Sequence, residues 1–173
     1  MASAPTQTGN GQLPPGFKSP FTLVTQTGTH DDLLAVVATL TGKSLLEVFG
    51  MAVTLGMRKF NYHVDDALVK KLLFNLSNLT IGPWKEFTSI AAMPDVAILL
   101  IDYDPSSETG RSVVFHHVKG TQQQPAFHYY LDVSNTTDPK LRVTTSFSHL
   151  NMKNAWYLEV TQRPNPAGNV KGK

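Results

Sequence analysis

The apolar pattern of this chain changes period at Pro94, and no other feature constrains its fold as strongly. Upstream the spacing is helical. Asp31 and Asp32 stand where an N-cap belongs, before Leu33-Leu-Ala-Val-Val-Ala-Thr-Leu40, and Gly42 supplies the stop. A segment apolar on nearly every side predicts a buried central helix over 33–41, with Val36, Val37 and Leu40 in the core. Ser44-Leu-Leu-Glu47 is a capping box that opens a second helix ending near Gly56. Asp65 or Asp66 caps a third, in which Leu68, Leu72, Leu73 and Leu76 recur at helical spacing. Pro83 suits the first turn of a short fourth helix, from Trp84 to about Ala91. Downstream of Pro94 the runs are β-rich: 96–103, 112–119, 127–133 and 155–161, with a helical turn at 146–150 and turn chemistry at Asp104-Pro-Ser-Ser and Gly110. Helices followed by antiparallel strands make an α+β domain.

At 173 residues the chain fits one domain, and 41% apolar against 16% charged residues is the composition of a folded protein. Residues 1–19 and 163–173 are rich in Pro, Gly and small polar side chains, so the expectation is a single domain over 20–162 between two disordered tails. Removal of 1–18 and 164–173 is expected to shift stability by less than about 1 kcal/mol. Cysteine is absent, which excludes disulfides, thiolate metal ligands and a thiol nucleophile. With no signal peptide and no apolar run approaching a membrane span, the expected location is the cytoplasm. A net charge of +2, with no Lys/Arg block outside the C-terminal tail, gives no nucleic-acid footprint. Gly42-Lys43-Ser44 copies the end of a phosphate loop but lacks the upstream glycine and strand, and no cofactor is expected.

One stretch carries a resemblance. Gln26, five intervening residues, Asp32, and then an apolar helix closing on Thr41-Gly42 resembles the start of a bacterial papain-like cysteine peptidase domain of the C39-like kind. In that family the residue six beyond the Gln is a Cys, at a helix N-terminus whose dipole and free amides lower the thiol pKa, while the Gln donates to the oxyanion. The order helices, apolar strand, base-bearing strand, orienting strand recurs over about 25–161. Residue by residue, the resemblance places Gln26 on the oxyanion Gln, Asp32 on the nucleophile, Ser112 on the base His and Asp132 on the orienting carboxylate. Two of three triad positions therefore depart from the family, and Ser112 is no general base near neutral pH. The resemblance implies a papain-like fold and a catalytically inactive domain, a pseudoenzyme that binds a peptide or protein partner.

The alternative is a hydrolase using Asp32 with a displaced His116 or His117; in a shifted register either histidine, with Asp132 and with Asp31 or Asp32, forms an acid–base set. His116 shares strand parity with Ser112 but lies about 13 Å along it. Simpler readings stand beside these. Asp31-Asp32 serves as a helix cap, and His116 and His117 point to opposite strand faces, so no metal site is expected from them. His116, His128 and His149 have no metal-specific spacing, and Gln122-Gln-Gln124 is a solvated loop. Trp84, Tyr129, Tyr130 and Trp156 are core or interface anchors.

Overall fold

The computed structural model describes residues 11–58 and 64–163; the expectations for residues 1–10 and 164–173 lie outside the described residues. Three helices, α1 (Asp32–Thr41), α2 (Leu45–Thr54) and α3 (Asp66–Ser77), precede six strands. The strands are β1 (Leu79–Glu86), β2 (Val96–Asp104), β3 (Thr109–Val118), β4 (Phe127–Asp132), β5 (Val143–Thr144) and β6 (Trp156–Gln162). They form one antiparallel sheet in the order β1-β6-β2-β3-β4-β5. The fold is α+β.

Local chemistry accounts for the helices. All residues from Leu34 to Leu40 are buried, as a helix without a polar face must be. Gly42 closes α1 at φ 68°, a conformation that a Cβ disfavours. The Ser44 hydroxyl accepts from the Glu47 amide at 3.2 Å while the Glu47 carboxylate accepts from the Ser44 amide at 2.9 Å. Asp65 caps α3, accepting from the Leu68 amide at 2.7 Å.

The sheet has two covered faces, read from strand alternation. Ile98, Val114, Tyr129, Leu131, Val133 and Leu158 pack with the helices in the main core. Leu99, Val113, Phe115, Tyr130 and Tyr157 face the other way, under Ile90, Met93, Phe147, Leu150 and Met152 from the connecting segments.

The segment after α3 differs from expectation. Residues 79–86 form a strand where a helix was expected from Pro83, and only a single 3-10 turn, Ile90–Ala92, follows. Pro83 fits because β1 pairs with β6 alone and its register shifts between Ile81 and Trp84; an edge and a bulge both tolerate a missing donor. Residues 11–19, which composition places in a tail, make contacts to the sheet as a strap. The Gly11 carbonyl accepts from the Thr145 amide at 3.0 Å, Phe17 sits edge-on to Phe127 at 4.9 Å, and the Ser19 and Tyr129 hydroxyls lie 2.6 Å apart. Leu13 and Phe17 supply apolar anchors that average composition conceals. Among the described residues no single helix is long and apolar enough to cross a membrane.

Candidate functional site

The segment 26–32 delivers the N-terminus of α1 to the point where β4 runs out. The His117 amide donates to Asp95 on the β2 side of β3, so by alternation the Ser112 amide faces β4. The β4 ladder stops at Asp132, opposite Val113, one residue short of Ser112. The Val133 carbonyl beyond it accepts instead from the Gln26 amide at 2.8 Å. Ser112 therefore lacks a backbone acceptor, and Asp32 supplies one: its Oδ2 accepts from the Ser112 amide at 3.0 Å. Two positions 80 residues apart in sequence meet in this bond.

Neither aspartate caps α1 with its side chain. The Asp31 carbonyl begins the helix, accepting from the Ala35 amide at 2.9 Å. Its carboxylate turns back and accepts from the Thr27 amide at 3.0 Å, the Thr27 hydroxyl at 3.1 Å and the Gly28 amide at 3.0 Å. The side chain thus fixes the loop before the helix. The Gln26 side chain folds onto the same loop, Nε2 donating to the Gly28 carbonyl at 3.0 Å.

Asp132 does not join Asp32 and Ser112. Pairing with Val113 puts it on the face of Arg111, Val113 and Tyr130, whereas Ser112 shares the helix-facing side with Val114. Its fully buried carboxylate pairs with Arg111, and it accepts from the Ser134 amide at 3.0 Å and the Thr137 hydroxyl at 2.9 Å. Arg111 also pairs with Asp102. Burial opposes the Arg111 charge, but the two carboxylates outweigh it and hold the guanidinium above its usual range. The signal for this pair in the sequence is an arginine at the start of one β-run, Arg111, and an aspartate closing the next, Asp132. The helix-facing residue beyond β4, on the same side of the sheet as Ser112, is Val133.

The histidines go elsewhere. His116 Nδ1 lies 3.0 Å from the Tyr129 hydroxyl, and Phe21 meets its ring edge-on at 5.2 Å. Desolvation lowers its pKa. His117 lies on the opposite face, 3.5 Å from Asp95. The set of Asp32 with either histidine is not assembled, because His116 keeps the four-residue offset and His117 the wrong parity. No group of three His, Asp or Glu among the described residues is disposed to hold a metal ion.

Apolar surface flanks the Asp32–Ser112 bond on both sides. On the helical side a pocket of about 430 Å³ is lined by Gly28, Asp31, Leu34, Leu45, Leu46 and Phe49, with Leu46 81% exposed. On the sheet side Leu100 pairs with Ser112 and Trp156 pairs with Leu100, all on the helix-facing face. Trp84, opposite Leu158, shares that face, and both tryptophans are 37% exposed. Comparison with protein-family models, curated proteins and solved structures returns no match.

Proposed function

We propose that this chain is a catalytically inactive papain-like domain that binds a peptide or protein partner on the apolar surface beside the Asp32–Ser112 bond. The observation that carries this reading is the Asp32–Ser112 bond. The residues on the nucleophile and base positions of the resemblance meet at a helix N-terminus, yet they are a carboxylate and a backbone-engaged serine. A carboxylate satisfied by a strand amide holds the two halves together, and a serine offers no proton acceptor near neutral pH. Exposed Leu46 beside the helical pocket and exposed Trp156 on the sheet are the kind of apolar anchors that peptide recognition uses. A chain without cysteine suits the reducing cytoplasm, where we place it.

The test restores the pair. In the variant Asp32→Cys with Ser112→His, the thiol is expected to titrate below the unperturbed value of about 8.5, read from alkylation rate against pH. The chain lacks a helix-side carboxylate to orient the new imidazole, so Val133→Asn is added in a second variant. A thiol titrating near 8.5 in both folded variants refutes the papain-like mapping. For the binding half, peptides selected from a displayed library are expected to lose at least about tenfold affinity on Leu46→Glu or Trp156→Ala. Selected peptides indifferent to both changes place recognition outside this surface.

A further inference from the structure

α3 carries two stripes. Val69, Leu72 and Leu73 face the core, while Ala67, Lys70, Lys71 and Phe74 follow one another at helical spacing on the outside. With Thr80 at the start of β1 and Arg163 beyond β6, the outer stripe lines a groove of about 490 Å³. Arg163 is brought there by its own amide, which donates to the Asn78 carbonyl at 3.1 Å. Its guanidinium lies 4.5 Å from the Phe74 ring centre, and Phe74 is 46% exposed.

Among the described residues the cations of this groove have no acidic partner. Elsewhere Lys85 pairs with Glu159, Lys119 with Asp95, and Arg111 with Asp102 and Asp132. All 13 acidic residues lie among the described residues, and none pairs with Lys70, Lys71 or Arg163. Three cations thus surround one exposed aromatic ring. An apolar centre with a charged rim is the anatomy of a protein-binding patch, and Arg and aromatic side chains dominate such centres. A nucleic-acid backbone calls for a basic track longer than one groove, and the chain's net charge is only +2.

We propose that this groove docks an acidic peptide segment of a partner protein, an apolar side chain resting on Phe74 and carboxylates meeting Lys70, Lys71 and Arg163. The site is separate from the pocket beside α1 and stands whatever the fate of the papain-like reading. Binding is electrostatically steered, so it weakens with salt.

The experiment is a fluorescence-anisotropy titration of the whole protein with three labelled probes: a Glu/Phe peptide, a Lys/Phe peptide of the same length, and a short oligothymidylate. The Glu/Phe peptide is expected to saturate and the Lys/Phe peptide not to bind. Lys70→Glu with Lys71→Glu weakens the Glu/Phe peptide by at least about tenfold, and Phe74→Ala by several-fold. The charge-matched variant Lys140→Glu with Lys153→Glu keeps wild-type affinity. All changed residues are solvent-exposed, so superimposable thermal melts verify folding. The proposal is overturned if the Glu/Phe peptide fails to saturate, if the charge-matched variant loses as much affinity, or if oligothymidylate binds more tightly than the peptide.

Discussion

At the scale of single residues, two side chains hold ends of the sheet that the backbone leaves open. Asp32 takes the Ser112 amide where β4 stops. Asp32→Ala leaves that amide unpaired at a largely enclosed position, and a loss of about 1–3 kcal/mol in a denaturant melt is expected. Asp32→Asn retains an acceptor and recovers most of it. Arg111 is the second. Its removal strands the buried carboxylate of Asp132, so Arg111→Met is expected to cost about 3–5 kcal/mol, the penalty of a broken buried pair. A loss under 1 kcal/mol would show that Ser134 and Thr137 satisfy Asp132 unaided. Sequence made Asp32 visible through its spacing from Gln26, but it could not assign the side of Asp132. Every residue of Phe127–Asp132 is buried, so the strand has no polar face to set its parity, and a one-residue ambiguity flips the carboxylate across the sheet. The adjacent Asp31 and Asp32 were likewise indistinguishable as caps, since what separates them is the loop that one carboxylate holds and the strand that the other reaches.

At the scale of elements, those with local signals were legible and those made by distant partners were not. Ser44 and Glu47 cap each other within one turn, and Asp65 caps α3 within the next three residues; both are readable from sequence alone. Strands β2, β3, β4 and β6 are long runs of β-favouring residues and fall within a few residues of expectation. β1 is different: Pro83 signals a helix start locally, and only its edge position beside β6 makes it a strand residue. β5 spans two residues and exists because β4 offers it an edge. The strap over 11–19 and the segment after it also depend on tertiary contacts, with Phe17 on Phe127 and Tyr129, and the Val24 amide donating to the Thr39 hydroxyl at 3.0 Å. The stability of this strap is measurable. Phe17→Ala is expected to cost about 1–2 kcal/mol, below the full-burial value because the ring is half-buried. Deletion of residues 1–18 then destabilises by more than the tail expectation, and an unchanged denaturation midpoint would return the strap to the status of a tail.

At the scale of the whole molecule, acid acts through two histidines. Desolvation lowers the pKa of His116, with Asp95 raising it and His117 lowering it further; desolvation and then His117 lower that of His128. Each binds its proton more weakly folded than unfolded, so below about 6.5 the unfolded chain holds the greater number of protons. Stability is therefore expected to fall as pH drops below that value and to be flat above it, apart from other groups. Asp95, whose carboxyl Lys119 holds below its usual range, adds a loss at lower pH with the same sign. His128 stacks on Phe115 and lies beside Phe147, so His128→Phe keeps the packing and removes up to one proton from the slope between pH 5 and 6.5. An unchanged slope in urea titrations across this window would exclude His128 as a contributor.

The strand order has a consequence for the chain as it is made. β1 and β2 are neighbours in sequence, yet β6 lies between them and bonds to both. On the ribosome the two earlier strands emerge with a slot between them that no upstream segment fills. At roughly 5–20 residues per second, several seconds separate the synthesis of β1 from that of β6. During that interval the helices and β2–β5 have partners already made, while the facing edges of β1 and β2 stay open to any passing strand. Completion of the sheet therefore waits for β6, and a nascent chain stalled before Trp156 presents two adhesive edges where one continuous sheet belongs.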